Sequence, residues 1–179
     1  MKKYKFTGET KTIDLPFGTV TLHRIKAVVE FGLVKVGDLG GWIEKEENLS
    51  HEENAWVCGN AKVYGDAKVY GDAKVCGNAK VCGNAEVCGN AEVCGNAKVF
   101  SADHVLVIGA IGSRNDFTTF FRDKDNEITV KCGCFLGKID KFLEKVTQTH
   151  KDTKHALVYR TAVEVAKLQI NLTEKSTRR

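Results

Sequence analysis

The sequence predicts a mainly β protein built on a triangular parallel β-helix, with a β cap before it and an α+β module after it. Three observations predict this fold. The hexapeptide V-x-G-[DN]-A-[KE] repeats without a break from Val57 to Val99, its apolar residues alternate with charged ones, and helical periodicity occurs only after residue 137. A period of six is the sequence signature of a β-helix in which three units make one coil.

Residues 1–47 are expected to form the N-terminal β cap. Short runs with β propensity occupy residues 18–25, 27–31 and 32–36, and the glycine-rich segment 37–41 is typical of a turn. The cap is predicted to lead the chain into the first coil.

The coil is predicted over residues 48–108. In each unit the Ala and Val are two residues apart, as in Ala61 and Val63, so both should point inward while Lys62 between them points outward. Gly and Asn or Asp follow at the corners because they tolerate the left-handed backbone conformation of a tight turn.

An 18-residue coil places residues of successive coils in columns, about 4.8 Å apart. Lys68 should lie beside Glu86 and Lys74 beside Glu92, whereas a third face stacks three lysines. Like charges in direct register destabilise a sheet, so the lysine face is expected to meet solvent or an acidic partner. The columns are the lysines Lys62, Lys80 and Lys98 and the cysteines Cys58, Cys76 and Cys94.

The seven cysteines are expected to be free thiols. Their number is odd, and the basic, polar start of the chain has no apolar segment typical of a secretory signal, which favours a cytoplasmic protein. The stacked cysteines are close enough in principle to oxidise, and the alternative is that they fill corner positions as small side chains. The longest apolar run, Val105 to Ile108, is too short to span a membrane.

Residues 109–172 are expected to form a β-β-α-α module, and residues 173–179 a flexible tail. The last coil strand is predicted at 105–110, the module strands at 117–123 and 128–132, and the helices at 138–149 and 153–170. Two apolar stripes with helical spacing predict the buried helix faces. They are Ile139, Phe142, Leu143 and Val146, and then Ala156, Tyr159, Val163, Ala166 and Ile170.

An anion-binding site is one interpretation of the segment Gly109–Asp116. Its glycines expose backbone amides beside Ser113 and Arg114, which suits a phosphate or carboxylate. Lys131 and Lys138 extend this candidate site, since the net charge of +4 lies wholly in residues 101–179. The alternative is that the segment is only a turn. A surplus of four charges does not by itself indicate a nucleic acid partner.

Cysteine and histidine residues of the module offer weaker candidates. Cys132 and Cys134 with His150 and His155 could form a tetrahedral zinc site, although a single residue between the thiols departs from the common spacing. Cys134 could alternatively be a nucleophile with His150 as its base. The plainest interpretation is a strand end that leads through Gly137 into a helix. No cofactor is predicted.

The repeats resemble the left-handed β-helix of the hexapeptide-repeat proteins. The best-known members are acyltransferases, usually trimeric, that act with coenzyme A or acyl carrier protein. In this chain the Gly lies one position later than in the usual pattern, and residues 57–99 contain no histidine. The resemblance therefore implies the fold first, and an acyltransferase with His23, His51 or His104 as its base second.

The entry to the coil carries a second resemblance. The segment Gly40–Ser50 followed by Asn54–Val57 is similar to the entry of the β-helix in phage and prophage proteins with V-x-G-[ND]-A-x arrays. It implies a phage-type protein acting in the host cytoplasm. Because no catalytic constellation is evident, the leading hypothesis is a non-enzymatic homo-oligomer, trimer or dimer. It would capture an anionic, nucleotide-like ligand or block a host protein in counter-defence; a structural, polymer-forming coil is the third hypothesis.

Overall fold

A computed structural model describes residues 1–16 and 18–173 of the chain. It confirms the predicted fold class: a β-solenoid of about three coils lies between a β cap and a C-terminal module of one antiparallel sheet and two helices. The expectation of a flexible tail at 173–179 falls almost entirely on residues 174–179, which lie outside the described residues.

The cap consists of a long hairpin and a short third strand. Strands β1 (Tyr4–Leu15) and β2 (Gly18–Ala27) are antiparallel, and β3 (Leu39–Ile43) pairs with β2. The expected strands at 27–31 and 32–36 are wrong, because Gly32 adopts a φ of +52° and the chain turns back in a single bridge between Phe31 and Val34.

Strand β3 occupies a segment expected to be a turn. Its glycines serve close packing instead, since a Cβ on Gly41 would lie 2.7 Å from Val57 Cγ1 and one on Gly40 would lie 2.4 Å from Ile25 Cγ1. Glycine allows β3 to approach the first coil, where Trp42 and Ile43 pair in parallel with Lys62 and Val63.

Eight two-residue strands make the coil. They are Trp56–Val57 (β4), Lys62–Val63 (β5), Lys68–Val69 (β6), Lys74–Val75 (β7), Lys80–Val81 (β8), Glu86–Val87 (β9), Glu92–Val93 (β10) and Lys98–Val99 (β11). Strands three apart in the chain pair in parallel, so the coil has three faces: β4–β7–β10, β5–β8–β11 and β6–β9. Strand β3 extends the second face towards the cap.

The predicted Ala and Val side chains of the repeats point into the coil. Every one from Ala55 to Val99 is at most 1% exposed. The coils are held together by backbone hydrogen bonds, such as the 2.9 Å bond that the Lys62 amide donates to the Ala79 carbonyl. Burying each Val contributes roughly 1.5–3 kcal/mol, so the stability of the narrow core is the sum of many such small contributions.

The predicted columns are confirmed by the strand register. Lys68 lies opposite Glu86 and Lys74 opposite Glu92. Lys62, Lys80 and Lys98 form the column without opposite charge, and Trp42 of the cap precedes them. Two faces therefore carry pairs of opposite charge and one carries a row of like charge.

The C-terminal module contains six elements. They are β12 (Val105–Ile111), β13 (Asp116–Arg122), β14 (Ile128–Cys132), β15 (Phe135–Lys138), α1 (Ile139–His150) and α2 (Lys154–Gln169). The strands form one antiparallel sheet in chain order. The predicted strands and helices agree with these bounds to within two residues, but strand β15 was not predicted. The strand expected at 105–110 as the last strand of the coil is wrong in its place, because β12 pairs antiparallel with β13 and belongs to the module sheet.

This sheet lies between the coil and the two helices. Phe121 of β13 joins the hydrophobic core of the coil, whereas its neighbour Phe120 joins the core under the helices. Successive side chains of a strand point to opposite faces, so β12 and β13 each contribute to both cores. The helices bury the predicted stripes, with Tyr159 and Phe142 in contact at their centre.

We predict that Gly77→Ala destabilises the protein more than Gly89→Ala. Both glycines have positive φ, +68° and +59°, which costs a residue with a side chain about 1–2 kcal/mol. A Cβ on Gly77 would also lie 3.0 Å from the amide nitrogen of Gly95, whereas one on Gly89 meets nothing within 4 Å. Urea denaturation of both variants measures the difference in unfolding free energy, and equal losses would contradict the close stacking of the corners.

Candidate functional site

A groove lies between the cap, the coil and the C-terminal sheet. Its floor is the face β4–β7–β10, one wall is the cap segment 32–34, and the other wall comes from β13 and β14. The cavity has a volume of about 500 Å³, which is within the range of small-molecule sites. The groove is therefore the candidate ligand site of the described residues.

Strand alternation determines which module side chains face this groove. Thr119 and Lys131 are paired across β13 and β14, and both line the side towards the coil. Their neighbours Thr118 and Cys132 are also paired, and Thr118 Oγ1 contacts Cys132 Sγ at 3.3 Å on the helix side. The position of Lys131 in the groove thus follows from a register that the sequence pattern alone does not provide.

Glu92 connects the coil to the module. Its amide donates a hydrogen bond of 3.0 Å to Thr119 Oγ1, and its Oε2 lies 3.0 Å from Lys131 Nζ. Its Oε1 lies 3.8 Å from Lys74 Nζ on the neighbouring rung. One carboxylate is therefore shared by two ammonium groups at the centre of the groove.

Apolar side chains and further polar groups complete the lining. Leu33 and Phe117, which are 88% and 37% exposed, face the opening from opposite walls, and Trp56 lies in the floor. Asp72 accepts a 2.7 Å hydrogen bond from Asn54 Nδ2, and Asp116 accepts one of 2.8 Å from the Phe117 amide. The groove thus combines apolar walls with a few polar groups.

The four residues predicted to bind an anion do not form one site. Lys131 lines the groove. The Arg114 guanidinium lies at the rim of the groove beside Gly133, since a Cβ built on Gly133 would lie 3.3 Å from Arg114 Nη1. Ser113 points to the helix side, with Oγ 3.4 Å from His150 Nε2. Lys138 lies at the other end of β14, opposite Thr129.

Lys138 instead forms ion pairs with an acidic cluster. Its ammonium group contacts Asp123, lies 2.5 Å from Glu127 Oε2 and 3.6 Å from Asp125 Oδ2. Burial opposes the charge of Asp123, but hydrogen bonds from Lys138, Thr129 and two backbone amides outweigh it and hold the pKa of this carboxyl below its usual range. These three carboxylates could otherwise suit a cation, but the Lys138 ammonium group already contacts all three of them.

Of the weaker candidates of the module, Cys132 and His150 lie beside Tyr159. The His150 ring stacks on Tyr159 at 5.7 Å, and the His155 ring lies 6.0 Å from His150. Burial, and then Cys132, raise the pKa of Tyr159. In the described part of the chain, no three of Cys132, Cys134, His150 and His155 bring their ligand atoms within 4.8 Å of one another.

The three histidines considered as acyltransfer bases occupy structural positions. His23 stacks on Phe6 at 4.8 Å. His51 stacks on Tyr4 at 4.1 Å and accepts a hydrogen bond from the Lys3 amide. His104 is fully buried and accepts one from the Phe100 amide. None of the three lines the groove.

Two of the stacked cysteines form a disulfide that was not expected. Cys58 and Cys76 are bonded, with their Cα atoms 4.8 Å apart, and both line the groove. Their separation of 18 residues is one coil, so the solenoid itself makes them neighbours. Cys94, one coil further, is a free thiol, and burial raises its pKa.

The lysine column forms a second charged surface. Burial lowers the pKa of Lys62, with a further contribution from Lys80, and Lys11 of the hairpin has its pKa lowered to about 8 by burial and then by Lys62 and Arg24. Within residues 1–16 and 18–173 none of the three column lysines forms an ion pair. Whether this face meets solvent or an acidic partner stays a prediction.

Comparison with known proteins gives no family for this chain: no family model matches it, and no curated protein matches it either. Neither helix of the described residues has the length and hydropathy needed to cross a membrane.

We predict that Glu92→Gln lowers the free energy of unfolding more than Glu86→Gln does, because Glu92 links the coil to the module. Glu92 is 36% exposed, so screening limits the loss in unfolding free energy to about 0.5–1 kcal/mol. Glu86 lies opposite Lys68 on a face away from the groove and serves as the control. Thermal denaturation at low and high salt measures both, and a difference that persists at high salt would contradict an ionic junction.

Proposed function

We propose that this chain is a non-enzymatic, homo-oligomeric binding protein that holds a small, nucleotide-like anion in the groove. The observation that carries this proposal is the arrangement at Glu92. Lys74 and Lys131 both lie beside the Glu92 carboxylate, so these three groups carry a net charge of +1, while Asp72 and Asp116 lie elsewhere in the lining. A phosphate or carboxylate of a ligand in the groove that reaches both lysines would balance that charge.

The rest of the lining supports a ligand with a flat, partly apolar portion. Trp56, Phe117 and Leu33 offer surfaces against which a ring can pack, and aromatic walls are common in small-molecule sites. Asp72 and Asp116 each accept one hydrogen bond and retain the capacity to accept another from a hydroxyl or amino group. A nucleotide has all three features.

The resemblance of the repeats and of the coil entry to phage and prophage proteins supports the biological setting. In that setting the groove sequesters a nucleotide signal of the host, which is a form of counter-defence. Among the described residues that line the groove, no nucleophile is paired with a base, which favours capture over turnover.

We predict that adenosine 5′-monophosphate binds the wild-type protein and that Lys131→Ala weakens this binding by about tenfold or more. A hydrogen bond to a charged group contributes about 1.5–3 kcal/mol, and Lys131 is the module residue that lies beside Glu92. Isothermal titration calorimetry measures the affinity. The control is Lys80→Ala, which removes a lysine from a different face of the coil.

Adenosine and inorganic phosphate serve as the comparison ligands in the same titrations. If inorganic phosphate binds as tightly as adenosine 5′-monophosphate, the groove does not recognise the nucleoside part of the ligand. No binding of any of the three, together with an apo mass in native mass spectrometry of protein purified from cells, would overturn the proposal.

Self-association is supported by the outer face of α2. Leu157, Val165 and Leu168 are 64%, 44% and 89% exposed and lie on one side of the helix, opposite the buried stripe. A helix with apolar residues on both sides is typical of a contact between protein surfaces. A second copy of the chain is the partner that the homo-oligomer proposal requires.

We predict that the double variant Leu157→Glu/Leu168→Glu is a monomer, whereas the wild-type protein is a dimer or trimer. Introducing two charges into an apolar contact opposes burial of that face. Size-exclusion chromatography with light scattering gives both masses, and Lys145→Glu on the exposed side of α1 is the control. A monomeric wild type, or an unchanged mass in the double variant, would contradict this interface.

A further inference from the structure

The cysteine column repeats one geometry twice. The Cys58 amide donates a 2.9 Å hydrogen bond to the Val75 carbonyl, and the Cys76 amide donates one of the same length to the Val93 carbonyl. The register of the two strand pairs is also the same. Cys94 therefore lies one coil from Cys76, in the same backbone register that places Cys76 beside its disulfide partner Cys58.

The surroundings of the three sulfur atoms differ. Cys58 and Cys76 line the groove, whereas Cys94 is partly buried under the module, where a Cβ on the adjacent Gly95 would lie 3.5 Å from Leu136. The column thus has a bridge facing the groove and a sheltered thiol one rung further along the coil. The other two corner columns of the coil carry Tyr64 before Cys82 and Tyr70 before Cys88, so neither repeats this arrangement.

We propose that Cys58, Cys76 and Cys94 form a thiol–disulfide exchange site whose bridge moves between two positions and presents Cys58 to the groove as a reactive thiol. The Cys94 thiolate attacks Sγ of Cys76, the Cys76–Cys94 bond forms, and the Cys58–Cys76 bond breaks. Cys58 leaves as a thiolate and takes up a proton, while Cys94 has lost one. One disulfide and one thiol are present before and after, so the step needs no oxidant or reductant.

The thiol released at Cys58, which lines the groove, defines the class of reactant. A disulfide of low molecular mass that enters the groove is attacked by the Cys58 thiolate, which forms a mixed disulfide at Cys58 and releases one small thiol. Burial raises the pKa of the Cys94 thiol, which lowers its thiolate fraction and slows the internal exchange. The inference uses the groove but not its proposed nucleotide ligand, so the two can fail separately.

Disulfide mapping tests the movement of the bridge. The full-length Cys58→Ser protein is equilibrated with reduced and oxidised glutathione, its free thiols are blocked in acid, and it is digested with trypsin. Cleavage after Lys62, Lys74, Lys80 and Lys98 places the three column cysteines on different peptides, and fragmentation separates Cys94 from Cys82 and Cys88. We expect a Cys76–Cys94 bridge. Its absence in a variant that retains the wild-type thermal stability would overturn the proposal.

Adduct formation tests the role of Cys94. Wild-type protein incubated with oxidised glutathione alone is expected to gain one adduct at Cys58, measured by intact and peptide mass. Cys94→Ser is expected to lose this adduct, because the bridge then has no second position. Cys88→Ser, at the same place in the repeat but in another column, is the control and keeps it. An equal yield in Cys94→Ser would show that the small molecule reacts without the internal exchange and would overturn the mechanism.

Discussion

The structure depends on the hydrogen bonding of each coil to the next. In a parallel β-helix the backbone donors and acceptors of a strand point along the axis, so every coil needs a neighbour on both sides. The Ala and Val interior adds burial to each rung but is too narrow to stabilise a single coil. The two ends of the stack therefore carry both unpaired backbone groups and an open apolar core, and the remaining elements cover them.

The cap and the module solve this problem in different ways, and the groove results from the difference. At the first end, β3 continues one face as a further strand, and the buried Asn48 amide donates hydrogen bonds to the Gly65 and Ala67 carbonyls. At the other end, Ala97 forms an antiparallel bridge with Asp123, and the Lys124 amide donates to the Asn96 carbonyl. The sheet then returns along one face as far as Glu92 and leaves the space between itself and the cap open.

The repeat allowed the coil, its columns and its charge pairs to be predicted, because a fixed period determines which residues meet. The helices followed from their apolar stripes for the same reason. The cap was harder to predict, since Gly40 and Gly41 indicate a turn by composition, whereas the structure needs them for close packing against Ile25 and Val57. The site residues depended on a non-local register, which placed Lys131 in the groove and Lys138, seven residues later, in an acidic cluster.

Repetition also explains why function belongs on the outer positions of the coil. The interior requires Ala and Val, and the corners require Gly with Asn or Asp, so only two outward positions in each unit are free to vary. A substitution at such a position meets its equivalent one coil away at a fixed distance of a few ångströms. A cysteine thereby gains a disulfide partner and a glutamate gains a lysine, as at Cys76 and Glu92. Chemistry that needs two or three groups in register can therefore arise here from single changes in otherwise identical units.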